Sequence, residues 1–560
     1  MSNALEPALH AYEAAATLAG AMTGNLARRV DVDGRVSTTK LDTFQVEAYW
    51  LSVILSRLQA ARSILAFAER QDNVIDARYA RTFVAELVRD MAAELAYQAP
   101  NWGLSQADVQ RALHSDAVQL FCHEALSQDA YVAMSDHLRE NPVQSYGLDS
   151  ERELIRREFR RFSDEVVSPV AEHVHKEDAL IPKEIIEAVA DMGCFGLSIP
   201  ESYGGLQPDG QPDNLGMCVV TEELSRGSLG VAGSLITRPE ILSKALLKGG
   251  TEAQKNTWLP KLASGETLCS VAVTEPDFGS DVAGVKVTAT PVEDGWVLNG
   301  QKTWCTFGGY ADVMMVLARS EPDASLGHRG LTIFLADKPR FEGHSFDHTQ
   351  APHPGTGTEG KLTGRAIDTL GYRGMHSFDL FFEDFFVPDD NVLGGLGGVG
   401  KGFYYQMEGF AGGRLQTAAR ACGVMQAAME KSLSYANERK VFRRPIGDFP
   451  LTGWKLGRMG MLLQTARQFT YDVAGLLDAH KGQVEASMVK LWAGRIAEWV
   501  TREAMQIHGG MGYAEEYDVS RYFVDARVFS IFEGAEEVLA LRVVARQVLQ
   551  RYLDDQKEQR

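Results

Sequence analysis

Cysteine is scarce: Cys122, Cys194, Cys218, Cys269, Cys305 and Cys422 are all there is in 560 residues, far apart and without a C-x-x-C. This excludes a dense disulfide framework and the paired spacing of a zinc finger, and leaves them as reduced, structural residues. The 13 histidines are equally scattered with no H-E-x-x-H, so no metal is expected. Basic charge is also short, with 56 Lys and Arg against 75 Asp and Glu for a net charge of −19. That argues against a nucleic-acid partner, and an anionic ligand would need a local basic patch. No stretch of about 18 uncharged apolar residues suggests a membrane span. The opening MSNALEPALHAYEAAA has neither the basic n-region nor the unbroken apolar core of a secretory signal. The expectation is a cytoplasmic protein.

What is present is an ordinary globular balance, 45% hydrophobic and 23% charged, over a length that suggests three or four domains. Residues 1–145 read as helical, with Val46, Leu51, Ile54, Leu55, Leu58, Ile64 and Leu65 recurring at helical spacing. The run ENPVQSYGLD (140–149) then combines Asn-Pro with Gly and Asp, a turn or linker signal. Helical patterns fill 150–267. Short β-rich runs such as VAVT, GWVLNG, VMMVLA and LTIFLA, parted by Gly, Pro and Asp, fill 268–393. Long Ala-rich helices return over 402–555. The predicted fold is mainly α with a central β domain. The biased stretches PHPGTGTEG (352–360) and GGLGGVGKG (394–402) read as loops. The second fits G-x-x-x-x-G-K, but Gly402 replaces the Ser or Thr that would hold Mg²⁺, so it reads as a connection and not as a phosphate loop.

Four segments carry candidate chemistry, each with a plain structural alternative. TEPDFGSD (274–281) is a strand-ending turn or, through Thr274 and Ser280, a loop of small donors for a polar planar ring and a thioester. NGQKTWCTFGG (299–309) presents Trp304 and Thr306, which strand alternation places on one face. They are core, or an indole stacked on a ring with a hydroxyl at its heteroatom. QIHGGMGY (506–513) ends a helix with a glycine cap, or lets the amides of Gly509 and Gly510 approach a diphosphate. IFEGAEE (531–537) places Glu533 after an apolar run, as a solvated acid or, if enclosed, as a carboxylate able to take and hold a proton.

In this order the segments, with GCFGLSIPESYGG (193–205), EDFFVP (383–388) and ERKVF (438–442), resemble the acyl-CoA dehydrogenase family from about Ser150 to Arg546. The resemblance implies a helical domain, a middle β-barrel domain and a C-terminal four-helix bundle, here with an added N-terminal helical extension. It implies FAD, with Thr274, Ser280, Trp304 and Thr306 around the isoalloxazine. Arg439, Phe442, Gln506, Gly509 and Gly510 would hold the diphosphate and adenosine part, often from a neighbouring subunit of a homodimer or tetramer. It implies Glu533 as the base that removes the α proton of an acyl-CoA, with its backbone N–H among the donors polarising the thioester carbonyl. Ser280, Arg414 and Gly534 would line the substrate. Some members carry their base just before the arginine matching Arg414; that position is Gly413 here, so Glu533 has no rival. Three residues depart from the pattern: Arg443 for Gly, Pro450 for Gln and Ala535 for Thr.

The extension, with SLITRPEI (234–241) and LGYRGM (370–375), is similar to the branch of the family that turns (2S)-methylsuccinyl-CoA into mesaconyl-CoA and passes electrons to an electron-transfer flavoprotein. Arg238 would then meet the distal carboxylate of a dicarboxylic acyl-CoA, the alternative being an ion pair with Glu240. Other short, branched or straight-chain substrates, an O₂-using acyl-CoA oxidase, and a non-catalytic binding protein on the same fold are the competing readings.

Overall fold

The computed structural model describes residues 2–353 and 356–558. Two residues of the loop 352–360, Pro354 and Gly355, lie outside the described residues. The chain divides into two compact units, one of residues 155–416 and one made jointly by residues 1–154 and 417–560.

Within 155–416, helices come first and an eight-stranded sheet follows. The path runs Cys269–Ala272, Val313–Arg319, Thr288–Val292, Gly295–Thr306, Ser377–Pro388, Lys361–Ala366, Ser345–Thr349, with Leu331–Asp337 paired on Val313–Arg319. Strand Val313–Arg319 shows why the sheet sits where it does. Its even-numbered Met314, Val316 and Ala318 join the barrel-side core with Trp296, Leu298 and Phe385, while Val313, Met315 and Leu317 meet the helices. Those helices, Thr237–Gly249 and Glu252–Ala263, contribute Ile241, Leu246, Leu259 and Leu262 to the second core. The two-residue period of a strand buried on both faces thus ties helices to barrel. The predicted mainly-α fold with a central β domain is what is observed.

The other unit is helical. Gln45–Gln71 and Val74–Gln98 from the N-terminal part pack with Pro450–Asp478 and Gln483–His508 from the C-terminal part, and Ser2–Val30 packs on the first two. The first is long and apolar enough to cross a membrane, but 72% of its most apolar stretch is buried in the fold. Helix Pro450–Asp478 is buried on nearly every side, which is possible because Gly453, Gly457 and Gly460 open one face to Gln128–Glu140. A Cβ on Gly457 would stand 2.2 Å from the Tyr131 carbonyl oxygen. Pro450 is the first helical residue there, where its missing N–H costs no hydrogen bond, and this accounts for its departure from the family pattern. Residues 141–149 carry no regular element, yet Gln464 and Gln468 donate to the carbonyls of Ser145 and Tyr146 at 2.7 and 3.2 Å.

Candidate active site

In the 155–416 unit, Thr274 leads out of strand Cys269–Ala272, and its carbonyl accepts from the Thr303 N–H at 2.8 Å. The loop behind it is pinned by a residue to which its motif reading assigned no role. The buried Glu275 carboxylate accepts from the N–H groups of Lys286 and Val287 at 2.6 and 2.8 Å and from Lys302 Nζ at 2.8 Å. Burial pulls the Lys302 ammonium below its ordinary range while Glu275 opposes that pull. Both belong to quoted motifs, so the signal was present; an opposite-charge pair in two apolar strand contexts is the pattern that finds it. Ser280 is exposed at the loop's far end.

Trp304 does not simply share a face with Thr306, as plain alternation predicted. A β-bulge interrupts the pairing of Gly295–Thr306 with Ser377–Pro388 beside it, and Trp304 takes a left-handed φ of 57°. The indole is 55% exposed, whereas Thr306 is buried with its Oγ1 3.0 Å from Ser377 Oγ. A large aromatic that is both exposed and held at positive φ is not core packing; it is a costly presentation suited to stacking on a ligand.

Arg238 is buried in helix Thr237–Gly249, and its NH1 donates to Tyr372 Oη at 3.2 Å. The ion pair with Glu240 is not formed. Glu240 instead binds Lys244 and the side-chain amide of Gln416. Among the described residues no carboxylate lies within salt-bridge distance of Arg238. Arg373, by contrast, is spent on the scaffold, donating to Thr369 and His175 carbonyls at 3.1 and 2.7 Å. Arg414 is buried in helix Gly402–Glu438.

In the second unit, Glu533 lies in the turn between Arg527–Ser530 and Glu536–Val538, half-buried, at a φ of 54°. Gly534 follows at 98°, and its carbonyl accepts from the buried Lys490 ammonium at 2.5 Å. Two consecutive positive φ values, one of them at a non-glycine residue, make a costly backbone conformation that a tethered carbonyl helps to hold. Glu536, close by, is committed elsewhere: Arg495 donates to it at 2.7 Å and so does the Tyr49 hydroxyl. Burial and the Glu536 hydrogen bond push the Tyr49 phenol up to about 12.

Arg439 is exposed at the start of a small hairpin in which Lys440–Val441 pairs with Arg444–Pro445. Phe442 and Arg443 form its two-residue tip at φ 48° and 67°, and Phe442 is 89% exposed. Such a tip favours glycine, so Arg443→Gly is expected to stabilise the protein by about 1 kcal/mol, seen as a raised melting temperature. An unchanged or lower value would mean that the Arg443 side chain offsets its backbone cost. Gln506 is exposed near the end of helix Gln483–His508, and Gly509 caps it at φ 59°, ψ −132°, a region open only to glycine. A Cβ on Gly509 or Gly510 would meet nothing within 4 Å, so this stretch of backbone borders open space, although the Gly509 N–H itself donates to the Gln506 carbonyl at 3.2 Å.

Family models for the N-terminal, middle and C-terminal domains of acyl-CoA dehydrogenase match residues 149–266, 270–385 and 400–549. The chain is 40% identical over 538 residues to (2S)-methylsuccinyl-CoA dehydrogenase of Cereibacter sphaeroides, covering 94% of each. It belongs to the acyl-CoA dehydrogenase family. A caffeyl-CoA reductase–Etf complex subunit, CarC, of Acetobacterium woodii is 34% identical over 391 residues, 69% of this chain and 96% of that one. The solved butyryl-CoA dehydrogenase of Megasphaera elsdenii superposes with a TM-score of 0.64 at 31% identity, over 72% of this chain and 98% of the other. This acyl-CoA dehydrogenase is therefore an FAD-dependent oxidoreductase. The exposed Trp304 indole and the uncrowded backbone at Gly509–Gly510 suit that cofactor, each in its own unit.

Proposed function

We propose that this acyl-CoA dehydrogenase oxidises (2S)-methylsuccinyl-CoA to mesaconyl-CoA and delivers the electrons to an electron-transfer flavoprotein. The observation that carries the substrate is Arg238, a buried guanidinium whose one described hydrogen bond goes to a neutral phenol. A buried cation without an acidic partner is costly, and a ligand carboxylate would offset that cost. The likeness to a methylsuccinyl-CoA dehydrogenase, which extends over the N-terminal helices, supports the same reading. The Etf complex named for the A. woodii relative supports the electron acceptor.

Bound FAD supplies the acceptor for the β hydrogen as hydride. The chain's own residues do the rest. Glu533 takes the α proton, its N–H helps polarise the thioester carbonyl, Trp304 and Thr306 orient the ring, and Arg439, Phe442, Gln506, Gly509 and Gly510 hold the distal half of the cofactor. Ser280, Arg414 and Gly534 serve the thioester end of the substrate.

Anaerobic bleaching of the flavin by a panel of acyl-CoA thioesters tests this reading, methylsuccinyl-CoA being the expected best. Rapid peroxide formation in air would instead favour the oxidase. Arg238→Met is expected to lower kcat/KM for methylsuccinyl-CoA by about 30-fold or more, the effect of breaking a buried charge pair, and to spare a straight-chain acyl-CoA. Equal losses on both substrates would leave Arg238 as scaffold.

A further inference from the structure

Asp178, His344 and His376, far apart in sequence, bring one ligand atom each to within 4.8 Å of the others. Asp178 follows helix Ser168–Lys176, His344 immediately precedes strand Ser345–Thr349, and His376 immediately precedes strand Ser377–Pro388. All three belong to the 155–416 unit. His376 is buried, Asp178 half-buried and His344 exposed, with the two imidazoles 4.4 Å apart between centroids.

The surroundings of His376 point to a cation. Its Nδ1 faces the Gly374 carbonyl oxygen at 3.1 Å, and its Nε2 faces Asp178 Oδ1 at 3.3 Å. Both neighbours are acceptors, but a neutral imidazole carries a single N–H. One ring lone pair is therefore left opposite an oxygen lone pair. An ion between Nε2 and Oδ1 removes the conflict by accepting both, while Nδ1–H donates to a backbone carbonyl, the usual support of a metal-bound histidine. The 3.3 Å gap also fits, since a tetrahedral ion with bonds of about 2.0–2.1 Å separates its ligands by about 3.3 Å. The exposed His344 ring, whose ligand nitrogen already lies within 4.8 Å of the other two ligand atoms, supplies the third ligand, and water completes the set.

We propose that Asp178, His344 and His376 form a binding site for a divalent transition-metal ion, with Zn²⁺ as its type. Two imidazoles and a carboxylate are the donor set such ions prefer. Arg373 Nε lies 3.5 Å from the same Asp178 oxygen, but the guanidinium is anchored independently on the Thr369 and His175 carbonyls. The ion clasps the connection after Ser168–Lys176 to the starts of two strands that both pair with Lys361–Ala366. It has no part in the oxidation.

The test is metal retention by the tag-free holoenzyme. Protein stripped with a chelator, exposed to Zn²⁺ and desalted is expected to keep about one ion per chain by mass spectrometry, with a raised melting temperature. His344→Ala alters an exposed side chain and should leave flavin content and fold intact. Its Zn²⁺ affinity is expected to fall by at least roughly tenfold, the least that even a lost supporting hydrogen bond costs. Asp178→Asn should do the same. Retention equal in the parent and both variants, or absent from the parent, overturns the proposal.

Discussion

Glu533→Gln keeps FAD and still binds acyl-CoA but loses turnover by about 10²–10⁴-fold, the usual contribution of a general base. The amide preserves size and hydrogen-bonding reach but cannot take the α proton. The turn should survive, because the positive φ at 533 and 98° at Gly534 are held by the Lys490 ammonium on the Gly534 carbonyl, not by the carboxylate. Glu536 is locked by Arg495 and Tyr49, and Gly413 occupies the position from which some relatives would supply a base. Flavin absorbance, acyl-CoA titration and single-turnover bleaching separate the three functions. Bleaching at near-normal rate would place the base elsewhere.

The fold was legible in the sequence, and the candidate chemistry sits in local motifs. Glu533, Trp304, Gly509 and Gly510 each lie in a short run whose neighbours are part of the signal, and the order of those runs carried the fold with it. What was not legible depends on chain segments meeting in space. Alternation placed Trp304 and Thr306 on one face, since nothing local announces the bulge that re-aims the indole. Glu240 is the nearest acid to Arg238 in sequence, but Lys244, one helical turn further on, claims it. Motif spacing led to the expectation of no metal, and the grouping of Asp178, His344 and His376 behind the proposed site is not visible there, since they come from three separate connections and match no periodic pattern. The same holds for the N-terminal helices. Their periodicity is visible, but their partners are not.

Those partners make removal of residues 1–145 the most damaging change we expect, with the remaining chain failing to form a stable flavoprotein. The N-terminal helices are not an appendage, since they complete the unit that holds residues 417–560. Glu86, buried at 1% exposure, accepts from both Nε and NH2 of Arg458 at 2.7 and 2.8 Å and from the Tyr131 hydroxyl at 2.7 Å. Deletion strips Arg458 of that partner and leaves its guanidinium to water. Phe83 leaves the face of Trp492, and the Gly453–Gly457–Gly460 ridge, shaped to admit Gln128–Glu140, becomes a bare apolar groove. Ser52 and Tyr49 release Ala540 and Glu536, on the segment that follows the Glu533 turn. Losses of this kind are set against the mere 5–15 kcal/mol by which folded domains are stable. Gly457→Leu supplies the milder test: it deletes nothing, yet drives a side chain into the Tyr131 carbonyl, and should lower the melting temperature and flavin content together. A soluble 146–560 chain with full FAD content and unchanged turnover would show that the C-terminal helices stand without their N-terminal half.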